Sequence, residues 1–312
     1  MKQIAVIVVT YNRKELLKRC LNALFQQEYL PAAIYIIDNN SSDGTNLMLQ
    51  EEGYLTHNNI KIFYKNTGQN LGGAGGFHLG VKTAHETGLY DAYLLMDDDG
   101  CPDKDEIKEL VPHLNKYDYI NALVVDIEDE TKLSFAWTKD AGKDRQKACT
   151  LQNEEGVVLN YVSPFNGTMV SKRLVSKIGY PKAEMFIHGD EIEYKNRSRK
   201  YGFVPITVVN SVHRHPGNNA SILYCNIMGL KIPYVLKNNP LLVYCRHRNQ
   251  IYNISGVKDF VKIILTDIVC WYYYNKKSKY LAKVLLSGVW AGIRKDFTGH
   301  WKYLDNKNNL NN

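Results

Sequence analysis

No stretch of this 312-residue chain approaches the roughly 18–20 uninterrupted apolar residues of a membrane-spanning helix. Its six cysteines stand far apart, at Cys20, Cys101, Cys149, Cys225, Cys245 and Cys270, with no CxxC pair and no zinc-like spacing. That argues against a disulfide scaffold and predicts a reducing, cytoplasmic setting. A signal-peptide layout is missing as well, because Ile4-Ala5-Val6-Ile7-Val8-Val9 enters a strand pattern almost at once. A dinucleotide fingerprint is lacking too: the glycine-rich run follows the third strand and has the wrong register for GxGxxG.

What is present is an ordinary globular composition, 45% hydrophobic and 23% charged, in a chain long enough for more than one domain. The formal net charge of +7 is unevenly spread and gathers toward the C-terminus. Apolar runs alternate with helical periodicity. Ile4 to Val9 closes in Thr10-Tyr11-Asn12-Arg13, and Leu16, Leu17, Cys20, Leu21, Leu24 and Phe25 then recur at helical spacing. Ile34 to Ile37 closes in Asp38, a helix follows to about Glu52, and Ile60 to Tyr64 is a third strand. Such alternation predicts an α/β fold with a mostly parallel sheet flanked by helices. Ligands of these sheets bind beyond the carboxyl ends of the strands, where Thr10, Asp38, Asn66 to Asn70 and Asp97 all fall.

Tyr93-Leu94-Leu95-Met96 runs into Asp97-Asp98-Asp99. Three carboxylates at the tip of a buried strand repel one another unless a positive group neutralises them. Oxygen ligands on alternate residues, Asp97 and Asp99, suit Mg²⁺ or Mn²⁺. The plainer reading is an acidic turn capping a helix from Pro102 to Leu114. Four glycines between Asn70 and Phe77, Gly72 and Gly73 among them, open a helix and allow a ligand close to the backbone; tight helix–sheet packing is the alternative. Lys139 to Gln152 reads as a loop over the crevice. Asp190, Glu191 and Glu193 follow an apolar pair, and with Ile192 turned inward Glu191 would face the crevice. Val204 to Val209 is a further strand, running toward His213-Arg214-His215, where two histidines flanking an arginine are candidate ligands.

In order and spacing, Val8-Val9-Thr10-Tyr11-Asn12, Asp38 with Ser42-Asp43-Gly44-Thr45, Asp97-Asp98-Asp99, Asp190-Glu191 and His213 resemble family 2 glycosyltransferases of the GT-A fold, over residues 1–216. Asn70 to Phe77 and the Asp triplet look most like bacterial galactofuranosyltransferases, with rhamnosyltransferases as close relatives. The resemblance implies that Asp38 holds uracil. It places Thr10 and Asn70 along the nucleotide, with Gly72, Gly73, Asp97 and Asp98 beside the nucleotide sugar. It assigns the metal to Asp97, Asp99 and His213. The family's catalytic base is usually an Asp; here the matching position is Glu191, with Asp190 as the alternative. The chemistry expected is single displacement with inversion, a cation stabilising the leaving diphosphate and a carboxylate taking the acceptor proton. UDP-galactofuranose is the favoured donor, dTDP-rhamnose the runner-up, and a metal-dependent nucleotidyltransferase a remoter reading.

Residues 217–312 are expected to form a helical subdomain. Pro240 to Gln250 resembles the Tyr-rich, Arg-Asn element that follows the catalytic domain in this group. Aromatics beside Lys276, Lys277, Lys279 and Lys283 suit an anionic membrane surface, where a lipid-linked glycan acceptor would be presented. Nucleic acid is not expected as a partner, because the acidic crevice would repel phosphate without a metal.

Overall fold

The computed structural model describes residues 1–137, 141–217, 222–227 and 229–304. The chain divides into two compact units, residues 1–183 with 194–218, and residues 184–193 with 219–312.

The first unit begins β1 (Ile4–Thr10), α1 (Lys14–Phe25), β2 (Ala33–Asp38), α2 (Thr45–Glu51), β3 (Lys61–Asn66), α3 (Gly72–Glu86), β4 (Ala92–Asp97) and β5 (Cys101–Pro102). It continues through α4 (Glu106–Leu110), β6 (Tyr119–Asp126), α5 (Arg145–Cys149), β7 (Val157–Leu159), β8 (Thr168–Ser171) and α6 (Lys172–Ile178). Residues 194–200 of helix α7 (Asp190–Lys200), whose first turn belongs to the second unit, and β9 (Pro205–His215) complete the series. Among the described residues nine strands form one sheet in the order β3-β2-β1-β4-β8-β6-β9-β5, with β7 on β9. Strands β1, β2, β3, β4, β6 and β9 run one way; β5, β7 and β8 oppose them.

Both faces of the sheet are covered, which is why its first strands read as unbroken apolar runs. Ile4, Val6 and Val8 pack with Leu17, Cys20, Leu21 and Leu24 of α1, while Ala5, Ile7 and Val9 pack with Phe77, Val81 and Ala84 of α3. Two of the glycines of α3 serve that second layer. A Cβ on Gly76 would stand 2.6 Å from Val9 Cγ1, and one on Gly80 would collide with Ile7. Packing therefore accounts for these two, whereas a Cβ on Gly73 would meet nothing within 4 Å.

The helix expected from Pro102 to Leu114 is broken. Cys101–Pro102 pairs with β9, α4 covers Glu106–Leu110, and a 3₁₀ turn covers Val111–Asn115. Part of the stretch expected as a loop over the crevice, residues 138–140, lies outside the described residues, and its remainder holds α5. Strand β9 carries an irregularity: Ala122 pairs with Val208 but Leu123 pairs with Val212, so Val209 to Ser211 are inserted. Such bulges re-aim the residues that follow, here His213 to His215.

The second unit is not wholly helical. A hairpin of β10 (Leu223–Ile227) and β11 (Leu230–Tyr234) precedes α8 (Pro240–Tyr252), α9 (Val257–Lys277) and α10 (Lys279–Arg294). Phe186, Tyr234, Val243, Tyr244, Val269, Cys270, Val284 and Leu285 form its core. Among the described residues no helix is long and apolar enough to cross a membrane.

Candidate active site

Because β1, β2, β3, β4, β6 and β9 run the same way, their carboxyl ends share one edge of the first unit. Thr10 pairs with Asp38 across β1–β2, Asp38 with Asn66 across β2–β3, and Val9 with Asp97 across β1–β4. Asp97, Asp99 and His215 each offer a ligand atom there, and the three atoms lie within 4.8 Å of one another.

The histidine of this cluster is His215, not the His213 expected from the sequence. His213 is fully buried, with Nδ1 3.0 Å from a Glu106 carboxylate oxygen and its ring packed beneath two glycines. A Cβ on Gly100 would collide with His213 Nε2, and one on Gly167 would stand 3.0 Å from its Cβ. In this arrangement His213 supports the two turns carrying Asp97–Gly100 and Asn166–Gly167. Two residues on, His215 reaches the strand end. Its Nδ1 donates to the Pro216 carbonyl (2.7 Å), which leaves Nε2 as the free ring position, 3.2 Å from Asp99 Oδ1.

The acidic turn is electrostatically loaded. Burial, then the Asp99 and Asp98 charges, push the Asp97 carboxyl well above the usual carboxylate range, against the opposing pull of His215 and a bond from Asn166. Asp98 is pushed up to about 6 by burial, although Thr10 Oγ1 donates to it at 2.7 Å and Arg13 at 3.2 Å. Asp99 is held below the ordinary range because His215 and Arg13 (2.9 Å) outweigh its burial. His215, although desolvated, is raised by Asp99 and Asp97. Two carboxylates and an imidazole, one carboxylate costly to ionise as it stands, match the ligand chemistry of a small divalent cation.

The neighbouring elements hold their polar side chains in turns. Asp38 is fully buried; its oxygens accept from the Ser41 amide (2.8 Å) and the Tyr64 hydroxyl (2.7 Å). Asp43 ties the start of α1 to the start of α2 by accepting from the Lys14 amide and from Thr45. Asn70 Oδ1 accepts from the Gly72 amide (2.8 Å), and the Gly72 carbonyl accepts from Asn39 Nδ2 (3.0 Å). Asn166 was not singled out from the sequence, yet its Oδ1 accepts from the Asp97 amide (3.2 Å) and its Nδ2 donates to the Asp97 carboxylate (3.3 Å). Its signal was the Asn166-Gly167 dipeptide, a turn former that here has Gly167 at φ +64°. Arg13, Tyr64 and Asn39 carried no such mark.

Asp190 and Glu191 open α7 and belong to the second unit. Asp190 is buried, whereas Glu191 is half-buried and accepts from the Gly189 amide (3.0 Å). Ile192, expected to turn inward, is 41% exposed; the buried apolar residue of this turn is Tyr194. A cavity of about 640 Å³ lined by Lys116, Asp118, Arg173 and Phe203 opens at the amino ends of β6 and β9, the opposite edge from the acidic cluster.

A mixed sheet with a strand-end acidic turn of this kind is the framework of a GT-A glycosyltransferase. The chain belongs to glycosyl transferase family 2, whose sequence profile matches residues 5–171. It is 28% identical over 260 residues to galactofuranosyltransferase GlfT1 of Mycobacterium tuberculosis, covering 81% of this chain and 83% of that protein. The GlfT1 of Mycolicibacterium smegmatis is also 28% identical, over 68% of this chain and 70% of that protein. Among solved structures, the fold is similar to a mannosyltransferase from Pyrobaculum calidifontis in complex with GDP-Man and Mn²⁺ (TM-score 0.52, 14% identity, 95% of this chain and 87% of that one). It is likewise similar to S. aureus TarS residues 1–349 (TM-score 0.50, 14% identity, 95% and 82%).

Proposed function

We propose that this glycosyltransferase moves galactofuranose from UDP-galactofuranose, with inversion and with Mn²⁺ or Mg²⁺, onto a hydroxyl of a growing, lipid-linked cell-surface glycan. The observation that carries the reading is the Asp97–Asp99–His215 cluster at the carboxyl ends of co-directional strands. The similarity to the mycobacterial galactofuranosyltransferases supports galactofuranose as the sugar.

Asp97, Asp99 and His215 would hold the cation, which when bound neutralises charge growing on the leaving diphosphate. Thr10, Asp38, Asn70, Gly72, Gly73 and Asp98 are assigned to the nucleotide sugar. Glu191, the more accessible of the acidic pair, takes the acceptor proton, and Asp190 is the alternative base. The acceptor oxygen bonds to the anomeric carbon as the bond from that carbon to the β-phosphate oxygen breaks. The electron pair leaves with UDP and the proton passes to the carboxylate.

The acceptor's lipid would be met at an anionic cytoplasmic membrane face. Helix α9 exposes Val257, Phe260, Val261, Ile268, Trp271 and Tyr272 along one stripe, and α10 exposes Leu286, Trp290 and Ile293. Lys258, Lys262, Lys276, Lys277, Lys279 and Lys283 are exposed on the same helices. Apolar stripes bordered by lysines suit a layer of acidic headgroups.

A panel of nucleotide sugars, assayed for UDP release with Mn²⁺ and with chelator, tests the assignment. Chelator-sensitive turnover of UDP-galactofuranose is expected. Preference for dTDP-rhamnose would replace the sugar, and pyrophosphate released from a nucleoside triphosphate would replace the reaction class.

A further inference from the structure

Within the second unit, helix α8 grips the loop that leads into the acidic pair. Asn249 Nδ2 donates to the carbonyls of Met185 (2.9 Å), Ile187 (3.0 Å) and His188 (2.6 Å). Arg248 donates to the carbonyls of Glu184 (3.3 Å) and Met185 (2.7 Å), and Asn253 Nδ2 donates to that of Gly189 (2.8 Å). Asn249 and Asn253 lie one helical turn apart and therefore share a face. Arg248 Nε donates to Asn249 Oδ1 (2.8 Å), which turns the amide nitrogen toward the loop.

The loop so held is not relaxed. Phe186 (φ 64°) and His188 (φ 65°) are in the left-handed region, which residues with a Cβ seldom adopt, and Gly189 follows at φ 86°. A Cβ at Gly189 would stand 3.0 Å from Asn253 Nδ2, so a side chain there would press on the clamp as well as strain the backbone. Arg248 is fully buried with no salt-bridge partner among the described residues; loop carbonyls and the face of Phe297 take the place of a counter-ion. The helix supplying the clamp is itself braced. Cβ atoms on Gly288 and Gly292 of α10 would stand 2.6 and 2.5 Å from the Tyr244 and Arg248 carbonyls, so these glycines let the two helices meet at backbone distance.

The chain of contacts ends on a carboxylate. Asn253 fixes the Gly189 carbonyl, and the amide of the same residue donates to Glu191 Oε2. We propose that Asn249, Arg248 and Asn253 are positioning residues, which aim the Asp190–Glu191 carboxylates for removal of the acceptor proton. The inference rests on the base assignment above. A 1 Å displacement of a catalytic group costs on the order of 10²-fold in rate, so loss of the clamp should appear in kcat and leave donor affinity alone.

A double-mutant cycle tests it, reading UDP release from UDP-galactofuranose with Mn²⁺, and UDP affinity by calorimetry. Asn249→Ala and Asn253→Ala should each lower kcat by about 10-fold or more, with UDP affinity and donor KM within about twofold of wild type. The same substitutions are then made on whichever of Glu191→Gln and Asp190→Asn lowers kcat the more, where the residual turnover is measured. There they should cost no more than about twofold, because the group they aim has gone. Full, multiplicative losses in that background would overturn the clamp while leaving the base assignment standing. Wild-type kcat in both Glu191→Gln and Asp190→Asn would overturn the base assignment and this inference with it. If Asn249→Ala fails to fold, Asn253→Ala, which gives up one bond to the loop, carries the cycle.

Discussion

His215 holds Nε2 3.2 Å from Asp99 Oδ1 while its Nδ1 is committed to the Pro216 carbonyl. Two residues back on the same strand, His213 is spent on Glu106 in the interior. The two imidazoles therefore predict opposite phenotypes. His215→Ala and Asp99→Ala should each lower Mn²⁺ affinity by at least about 10-fold and remove metal-dependent turnover, with little change in melting temperature. His213→Ala should instead destabilise the fold by on the order of 3 kcal/mol, since it strands Glu106 in the interior. Calorimetric metal titration and thermal melting of the three variants decide it. Intact metal binding in His215→Ala, or its loss from a stably folded His213→Ala, would restore His213 as the ligand.

Donor choice can be read from binding alone. UDP should bind more tightly than dTDP in calorimetry with Mn²⁺, and Asp38→Ala should remove the preference. Because Asp38 also anchors the Ser41 amide and the Tyr64 hydroxyl, Tyr64→Phe is the control. It should lower melting temperature slightly and keep the UDP preference. Equal affinities for the two nucleotides in wild type would count against Asp38 as a base-reading residue.

For the acid–base step, Glu191→Gln should retain UDP and metal affinity and lose about 10²-fold or more in turnover. Asp190→Asn should mainly raise the apparent KM for acceptor. Adjacent helical side chains diverge by about 100°, so one carboxylate at a time can face a given hydroxyl. An exchange of the two phenotypes would make Asp190 the base.

Membrane docking should depend on both lysines and aromatics. Sedimentation with vesicles containing anionic lipid should show binding that weakens as salt rises, because screening shortens the reach of Lys276, Lys277 and Lys279. Phe260→Ser with Trp290→Ser should reduce what remains at high salt. Binding that is indifferent to salt would remove the electrostatic part of the proposal.

The buried histidines should withdraw stability on mild acidification. Burial holds His188 down at about 4 and keeps His85, His113 and His300 below the ordinary imidazole value. Unfolded, each takes up a proton near pH 6.5. Between about pH 6.5 and 4 these four groups bind more protons unfolded than folded, so the stability they contribute is full above that window and drains away through it. Asp97, Asp98, Glu106 and His215, all raised in the folded chain, act with the opposite sign over an overlapping range. Replacing the strongly shifted histidine, His188→Asn, should therefore move the change in melting temperature from pH 7 to pH 5 upward relative to wild type; an unchanged pH response would refute the assignment.

The sequence by itself determined the sheet and its loaded edge. Periodicity alone places Ile4 to Thr10, Ile34 to Asp38 and Tyr93 to Asp97 as strands, because a strand covered on both faces must be apolar throughout. The polar residues that end those runs must then gather at one edge of a sheet of co-directional strands. Local pattern could not choose between His213 and His215, which share one face of one strand. That choice fell to the insertion in β9 and to Gly100 and Gly167, whose lack of a Cβ lets His213 sink beneath the acidic turn and leaves His215 at the strand end. Asn166 and the grip of Asn249 on residues 185–188 were equally hidden. Both act on backbone groups distant in sequence, and a lone Asn carries no mark of which carbonyl or amide it will meet. Contacts that depend on where two remote segments cross are decided by packing.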